Sequence, residues 1–536
     1  MAWTIKTPSN PSMDIHLNSG VVTRSKDGCT DSDYYDCSSH AGSVTASLLS
    51  GSAFDNFTTV RKTITYTYGV KSCNQEWFIT KFNGEGGLND NNGFDIKLVD
   101  ECDYLVYGAP LRIGNDGFSS SDHTVKYHTT NDTIRTGTIT NNQNLTYLYF
   151  PHKYCSATTG SVDDFPGVNI KTIEASAFTN NPNLTSITLS CVETIGQAAF
   201  SGCTGLISID WGDSRSNCCK CNETNAPSCK QETTIGASAF CNCTSLESLS
   251  DFNTLSRLTN LGDHAFYNCR ALSALTIPSN ISEIKDYTFY NCVSLSSVTI
   301  PSNITSIGAA AFYNGGLKEI NIPNSVTSLG ANSFANCYNA TSITLSNNLT
   351  VIPNSCFANC ERLTSITIPD SVETIGQVAF GKCGSNYEVE NFTITIGSGV
   401  KTIGVSAFAQ CRTLESINIP NNVETIGDGA FYGCGWLTSV TIGNGVETIG
   451  GLAFNSCSKL KTVTIGSGIL SIGNQAFFET YDLETLTITQ TQPPELGASA
   501  FVLSGITSIK VPSESVDIYK SASGWSEYAE LIVPIT

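Results

Sequence analysis

One pattern organises most of this sequence, and its plainest copy is Leu295-Ser-Ser-Val298-Thr-Ile300-Pro301-Ser-Asn-Ile304-Thr-Ser-Ile307-Gly308-Ala-Ala-Ala311-Phe312. The same arrangement of Leu, Ile or Val, Gly and Ala-Phe returns at 363–380, 414–431 and 437–454. The closing phenylalanine marks fourteen copies, most of them 22 to 24 residues apart, with longer intervals of 40 (200 to 240), 26 (240 to 266) and 28 residues (380 to 408). These phenylalanines are Phe178, Phe200, Phe240, Phe266, Phe289, Phe312, Phe334, Phe357, Phe380, Phe408, Phe431, Phe454, Phe477 and Phe501. A recurring period of this kind is typical of a stacked repeat protein.

The spacing within one copy predicts its local structure. Leu-x-x-Ile-x-Ile alternates at its end, which favours a short strand with one buried face. A proline such as Pro301 then ends the strand, because proline cannot donate a ladder hydrogen bond. The Ile-Gly-x-x-Ala-Phe segment brings its Ile and Phe beneath the neighbouring copy, since no copy can bury its apolar side alone. We therefore expect a mainly β solenoid of about 14 coils of about 23 residues, with parallel strands roughly 4.8 Å apart.

Three residues after the phenylalanine, ten of the fourteen copies carry a cysteine, and we call this set the cysteine ladder. Its members are Cys203, Cys243, Cys269, Cys292, Cys337, Cys360, Cys383, Cys411, Cys434 and Cys457. Redox staples or a metal ladder are the functional interpretations. A structural role is favoured, in which a small inward side chain satisfies local backbone groups, because one position is used once per coil and no paired spacing is present. We predict buried, reduced thiols.

These repeats resemble the BspA-type leucine-rich repeat, which is common in surface proteins of Bacteroidetes. The C-terminal stretch strengthens the resemblance, because Pro493-Pro494, Val511-Pro512 and Gly524-Trp525 are similar to the way such arrays often finish. The resemblance covers about residues 165–536. It implies a right-handed leucine-rich-repeat solenoid, a role in adhesion or recognition, and no catalytic residues to carry over. We accordingly expect an N-terminal β domain (1–150), a repeat array (151–510, with an insertion at 212–231) and a C-terminal cap (511–536).

Residues 1–150 lack the repeat. Thr63–Tyr68 alternates cleanly, and Glu76–Phe82 has the composition of another strand. Clusters of Gly and Asn at 83–87 and 89–93 separate such segments. Long helical periodicity is not evident, so we expect a β-sandwich-like domain and assign to it the anchoring of the protein in a larger assembly.

The 40-residue interval between Phe200 and Phe240 contains an insertion with four cysteines, Cys218, Cys219, Cys221 and Cys229. Four thiolates can hold a tetrahedral zinc ion, but the spacing lacks paired Cys-x2-Cys units. Local disulfides and free thiols are the alternatives. Insertions into solenoids tend to carry recognition, so the loop is a candidate binding segment whatever the state of its sulfur atoms.

Two further patterns concern binding. The outward position between buried strand residues is almost always threonine: Thr188, Thr276, Thr299, Asn321, Thr344, Thr367, Thr395, Asn418, Thr441, Thr464 and Thr487. Threonine favours strands but provides none of the Trp, Tyr or Arg anchors that are common at hot spots.

Tyrosine follows the phenylalanine in three consecutive copies, as Tyr267, Tyr290 and Tyr313. These tyrosines either pack on the convex face or form a contact patch for a carbohydrate or a protein, and they are our candidate binding residues.

Composition excludes several function classes. Charged residues make up only 14% of the chain and the net charge is −19, so there is no basic stripe for nucleic acid or for an anionic membrane surface. No run of eighteen apolar residues is present, so no membrane insertion is expected. No catalytic motif is recognisable, and Glu373, Glu424 and Glu447 recur in one Val-Glu-Thr-Ile-Gly context, as a solvated coil position does. We expect no enzyme activity and no cofactor.

Two placements of a non-catalytic binding or structural protein remain. Met1–Pro8 has neither the basic nor the apolar segment of a secretory signal. This favours a virion fibre, decoration or attachment protein of a bacteriophage of Bacteroidetes, assembled in the host cytoplasm. The repeats alone favour an extracellular cell-surface adhesin of the BspA type. Expected partners are a protein assembly at the N-terminal domain and a host surface protein or glycan, and a homo-oligomer is compatible with both placements.

Overall fold

The structure is a computed structural model. It describes residues 2–6, 12–18, 21–25, 44–47, 59–68, 71–81, 94–99, 103–107, 124–127, 133–134, 140–141, 147–149, 171–189, 192–211, 233–249, 252–255 and 258–535. The chain divides into two compact units, Met1–Cys269 and Arg270–Thr536. Within the described ranges, no helix is long and apolar enough to cross a membrane.

The first unit begins with antiparallel strands. Four of them form one sheet in which each strand pairs with the next: β1 (Ala2–Lys6), β2 (Ser12–Asn18), β3 (Val21–Ser25) and β4 (Val44–Ser47). Four more pair in the same way: β5 (Thr59–Tyr68), β6 (Lys71–Lys81), β7 (Phe94–Val99) and β8 (Asp103–Tyr107). The packing of two sheets face to face, which a sandwich requires, lies outside the described residues, so the β-sandwich stays a prediction.

The sheet that contains β5 to β8 continues with parallel strands. These are β9 (Thr124–Tyr127), β11 (Tyr147–Tyr149), β13 (Ser186–Thr188) and β15 (Ser208–Asp210). A second parallel ladder contains β10 (Thr133–Ile134), β12 (Thr172–Ile173), β14 (Thr194–Ile195), β16 (Thr233–Ile235) and β17 (Leu258–Leu261). Strands on both sides of residue 150 therefore share the two ladders.

The second unit repeats a coil of two strands. The first strand of each coil, the face strand, is β18 (Ala274–Thr276), β20 (Ser297–Thr299), β22 (Glu319–Asn321), β24 (Ser342–Thr344), β26 (Ser365–Thr367), β28 (Thr393–Thr395), β30 (Ser416–Ile419), β32 (Ser439–Ile442), β34 (Thr462–Ile465), β36 (Thr485–Ile488), β38 (Ser508–Val511) and, after the last coil, β39 (Ile532–Pro534). The second strand is β19 (Glu283–Ile284), β21 (Ser306–Ile307), β23 (Ser328–Leu329), β25 (Val351–Ile352), β27 (Thr374–Ile375), β29 (Thr402–Ile403), β31 (Thr425–Ile426), β33 (Thr448–Ile449), β35 (Ser471–Ile472) and β37 (Glu495–Leu496). The pairs formed by these strands are parallel, as β30 with β32 and β31 with β33.

The coil Leu414–Phe431 shows how the sequence pattern produces this structure. In β30, Ser416 and Asn418 point outward while Ile417 and Ile419 are buried. The other apolar positions of the coil's motif are also buried. Alternation within a strand and burial between coils therefore follow from one 23-residue pattern, and the predicted mainly β, parallel solenoid is confirmed.

The fourteen repeat phenylalanines form the centre of the core. All of them are buried. Within each unit, the ring centroids of consecutive phenylalanines lie 5.2 to 5.6 Å apart and their planes are within 13° of parallel. Because the rings of consecutive coils within a unit contact each other, one coil of a unit cannot unfold without exposing its neighbours.

The loop around each phenylalanine passes twice through left-handed backbone. In all fourteen coils, the residues two before and two after the phenylalanine have positive φ, as Val378 (56°) and Lys382 (61°) do around Phe380. The N–H groups of these three residues donate to carbonyl oxygens of the next coil at 2.8 to 2.9 Å. The loops are thus joined by a third row of hydrogen bonds, which holds even a β-branched residue such as Val378 in a conformation that costs roughly 1–2 kcal/mol.

Short helical segments accompany the strands. They are the 3-10 turns Phe252–Thr254, Ser513–Ser515 and Ser526–Leu531 and the helix α1 (Val516–Ser521). Trp525 is fully buried, and its Nε1 donates to the carbonyl oxygen of Pro494 at 2.8 Å. The ring of Tyr528 meets that of Phe501 edge-on at 5.4 Å. The segment after β38 thereby covers the last ring of the phenylalanine stack.

Candidate functional site

The face strands of the second unit display a uniform polar surface, which we call the threonine face. The outward residues from Thr276 to Thr464 that the sequence pattern selects are all exposed, and Thr487 is half-buried. The side chain of Thr188 lies outside the described residues. No aromatic side chain points outward from a face strand between Ala274 and Val511, so this surface has no anchor of the hot-spot kind.

The cysteine ladder lies inside the coils. All ten of its residues are buried, and no disulfide links the cysteines of the described residues. Thiols of the ladder donate to the carbonyl oxygen of the phenylalanine in the preceding coil, with S···O distances of 3.1 to 3.8 Å, as Cys203 does to Phe178 and Cys457 to Phe431. Burial raises the pKa of the Cys203 thiol to about 12 and raises that of Cys411 well above its usual range. Because a protonated thiol is a poor nucleophile and metal ligand, the raised pKa values of Cys203 and Cys411 disfavour such roles for these two residues. The hydrogen bonds of the ladder anchor the turns in which its cysteines lie.

The insertion of the first unit offers no described site. Cys218, Cys219, Cys221 and Cys229 lie outside the described residues, so their zinc, disulfide or free-thiol state stays a prediction. Trp211, the last described residue before the insertion, is buried and packs against the rings of Phe240 and Phe252 at 6.0 and 5.6 Å. Across the described parts of the chain, no three His, Cys, Asp or Glu side chains are grouped to hold a metal ion.

The structure brings together two of the three tyrosines selected from the sequence. Tyr290 and Tyr313 stack in the second unit, with ring centroids 4.7 Å apart and planes 2° from parallel. Tyr267 belongs to the first unit, where its ring lies 5.6 Å from that of His264. The candidate stripe is thus documented as a stacked pair, and its role in binding stays a prediction.

Tyr338 extends the pair in the direction of the chain. It is exposed, and its pKa is raised by partial burial and by the neighbouring Tyr313 and Glu361. It is the first residue after Cys337, at a turn that leads into the next face strand. Residues that directly follow a ladder cysteine can therefore be exposed and available for binding. Comparing only the residues next to each repeat phenylalanine does not find them.

We call this surface the cysteine-turn edge. It consists of the first and second residues after each ladder cysteine of the second unit. It also includes the extra loop in the long interval between Phe380 and Phe408. Its exposed or half-buried side chains include Tyr338, Glu361, Arg362, Tyr387, Glu388, Arg412, Trp436 and Lys459. Unlike the threonine face, the edge combines aromatic and charged groups that change from coil to coil.

Tyr387 reaches the edge because the 380–408 interval holds that extra loop. Gly384, with φ of +58°, approaches Phe392 so closely that a Cβ on the glycine would lie 2.4 Å from the Cβ of Phe392. Phe392 is fully buried, and Thr413 Oγ1 donates to the carbonyl oxygen of Gly384 at 2.6 Å. These contacts fix the base of the loop, while the side chain of Tyr387 is 64% exposed.

Tyr387 and Trp436 form the centre of a cluster of rings and cations. Their ring centroids lie 6.4 Å apart with planes 43° from parallel. Lys459 Nζ lies 4.9 Å from the Trp436 ring centroid, which is a cation–π contact. Arg412 Nη1 donates to the hydroxyl oxygen of Tyr387 at 3.5 Å. Neither Arg412 nor Lys459 forms an ion pair with another described residue.

A search for repeated residue types does not find this cluster. Tyr387, Arg412, Trp436 and Lys459 differ from one another, and the first lies in an interval of unusual length. The signal that finds them is a fixed position read along the repeats, one or two residues after the ladder cysteine. These residues lie at the surface because the cysteine before them points inward.

Comparison with known proteins identifies the repeat region. The family model described as the BspA type leucine rich repeat region matches residues 155–247, 215–340, 259–387 and 385–505. No curated protein matches the chain.

Among solved structures, the chain is similar to a leucine rich cell surface protein from Faecalibacterium prausnitzii at 22% identity, covering 71% of this chain and 95% of the other, with a TM-score of 0.34. It is similar to a leucine-rich repeat protein from Bacteroides ovatus at 23% identity, covering 66% and 92%, with a TM-score of 0.36. It is also similar to the pneumococcal vaccine antigen PcpA at 17% identity, covering 86% and 97%, with a TM-score of 0.32. On the extent of the family match, the chain belongs to the BspA-type leucine-rich-repeat family.

Proposed function

We propose that the protein is a non-catalytic binding protein of the adhesin kind and that it binds its partner through the cysteine-turn edge. The cluster of Tyr387, Arg412, Trp436 and Lys459 carries this proposal. Tyr, Trp and Arg are the residue types enriched at hot spots. Here Tyr387 and Arg412 are exposed and Trp436 is half-buried, on turns and on a loop whose base is fixed by Gly384. Preorganised side chains lose less entropy on binding, so the same contacts give a higher affinity.

Family membership favours an extracellular, cell-surface placement. The cysteine ladder is compatible with that placement, because its thiols are buried and oxidation requires an accessible thiolate. Burial raises the pKa of Cys203 and of Cys411, so these two thiols keep their protons at neutral pH. No contact of the described residues bears on the virion alternative, which stays a prediction together with assembly through the N-terminal region.

The test is binding of the full-length protein to arrays of extracellular proteins and glycans. Tyr387→Ala and Trp436→Ala are compared with the wild type and with Leu470→Ala. Leu470 is the matched control because it is a large apolar residue, 60% exposed, that lies outside the edge and directly before β35. We expect each partner of the wild type to lose at least about tenfold in affinity with the two edge variants, as for hot-spot residues, and to bind the control normally.

Two results would contradict the proposal. One is saturable binding that all four proteins share equally, which would place the binding surface elsewhere. The other is the absence of saturable binding to either array. Thermal unfolding of each variant serves as the folding control.

A further inference from the structure

We infer that the ring and cation cluster of the cysteine-turn edge recognises an acidic peptide segment in the polyproline II conformation that bears carboxylates on residues i and i+3. The inference rests on the proposed function, because it uses the same surface, and it adds the chemistry and spacing of the partner.

The first step concerns charge. The chain has a net charge of −19, yet Arg412 and Lys459 are exposed and form no ion pair with another described residue. The neighbouring Arg362 is already paired with Glu388. Arg412 uses one N–H group on the Tyr387 hydroxyl, and a guanidinium has five such donors. A lysine ammonium has three N–H donors, so Lys459 can stay over the Trp436 ring and also donate a hydrogen bond to a carboxylate.

The second step concerns spacing. Arg412, Trp436 and Lys459 lie in three consecutive coils. The phenylalanine rings of these coils are separated by 5.4 and 5.2 Å, so the coil positions that carry the two cations are two coil steps apart. A peptide in the polyproline II conformation rises about 3.1 Å per residue with three residues per turn, so its residues i and i+3 lie on the same face about 9 Å apart, close to the same two steps. A peptide that runs across consecutive coils therefore presents one carboxylate to each cation.

The third step concerns the residue between the carboxylates. The rings of Tyr387 and Trp436 are tilted by 43° with their centroids 6.4 Å apart, and an apolar side chain of the peptide can pack against them. Lys459 Nζ already lies over one face of the Trp436 ring, so that face is not open for a sugar ring to stack on. The geometry consequently favours an acidic peptide over an acidic polysaccharide.

The experiment measures fluorescence anisotropy of labelled peptides titrated with the full-length protein. The probe contains Glu-Leu-Ala-Glu between Gly-Ser flanks. Its controls are Gln-Leu-Ala-Gln and an isomer with adjacent acids, Glu-Glu-Leu-Ala. We expect the probe to bind at least about tenfold more tightly than the Gln peptide and about fivefold more tightly than the isomer, with affinity falling as salt is added, because exposed charge pairs are screened.

Two substitutions test the cations separately. Arg412→Gln and Lys459→Gln should each lower the affinity for the probe peptide about fivefold or more, because each removes one charge-assisted contact. Lys401→Gln is the matched control, since Lys401 is an exposed cation that already pairs with Glu373 away from the edge, and it should leave the affinity unchanged.

The inference is overturned if the Gln peptide binds as tightly as the probe, if the isomer binds as tightly, or if an oligosaccharide of uronic acids binds more tightly. It is also overturned if no peptide binds while Trp436→Ala still weakens the binding of array partners, and in that case only the proposed function is supported. If Trp436→Ala does not weaken the binding of array partners either, both the proposed function and this inference are wrong.

Discussion

The threonine face and the cysteine-turn edge belong to the same coils, but they obey different constraints. Outward positions of the face lie within strands that must pair with their neighbours, and eight of the ten selected positions of the second unit are threonine, the other two asparagine. The edge follows a buried cysteine that fixes the path of the chain, so the next one or two side chains are free to vary. Regularity in this solenoid therefore marks residues that serve stacking, and irregularity marks residues available for recognition.

Both surfaces depend on the phenylalanine stack, so its disruption should have the largest effect on either. Phe380 contacts the rings of Phe357 and Phe408, with centroids 5.4 Å away on each side. Phe380→Ala should lower the free energy of unfolding by about 3–5 kcal/mol, as for other buried phenylalanines. Thr367→Ala, on the threonine face, should change it by less than about 0.5 kcal/mol. Urea unfolding measures both, and an unchanged midpoint for Phe380→Ala would show that the stack is not the core.

Alkaline pH should weaken the turns that contain ladder cysteines and spare the threonine face, whose hydroxyl groups do not titrate. The folded pKa of Cys203 is about 12, whereas its ordinary value is 9.0. Between these values the unfolded chain loses the thiol proton and the folded chain keeps it, so the free energy of unfolding falls as pH rises, by about 1.4 kcal/mol per pH unit for such a group. Below pH 9 the full stability is present.

Cys203→Ser should make this pH dependence shallower, because a hydroxyl stays protonated throughout that range. Urea midpoints measured between pH 8 and pH 11 compare the variant with the wild type. Identical slopes for the two proteins would mean that the Cys203 thiol does not keep its proton in the folded state.

The loop that carries Tyr387 should be more sensitive than its surroundings to one added methyl group. Gly384→Ala places a Cβ against the side chain of Phe392 in left-handed backbone, and overpacking of this kind costs about 1–3 kcal/mol. Gly435→Ala is the matched control at the same edge, since its Cβ would meet only Ser458 Oγ at 3.9 Å. Equal unfolding midpoints for the two variants would show that the base of the loop is not tightly packed.

The smallest effect concerns the left-handed loops that join the two surfaces. Val378 (φ 56°) and Asn332 (φ 58°) occupy the same position, two residues before the phenylalanine. Because asparagine tolerates this conformation and valine does not, Val378→Asn should raise the free energy of unfolding by about 0.5–1 kcal/mol. Asn332→Val should lower it by a similar amount. Shifts of the same sign in thermal unfolding of the two variants would refute this explanation.

The sequence alone was sufficient for the coil and its core. In Leu414–Phe431, alternation predicts which residues of β30 are buried, and the position of Phe431 predicts its stacking. This works because the neighbours of a coil are near-copies of itself, so a pattern within 23 residues also describes the contacts between coils. The exposed threonine column follows from the same alternation.

Tertiary structure decided the rest. The contact of Tyr387 with Trp436 depends on the path of one extra loop and on the register of the following coils, and neither residue belongs to the repeated pattern. Positive φ at Val378 is imposed by hydrogen bonds from the next coil, against the preference of the residue itself. The parallel pairing of β9 and β11 with the coil strands involves segments that lack the motif. Repetition encodes stacking in the local sequence, whereas contacts between unlike residues of different coils exist only once the chain has folded.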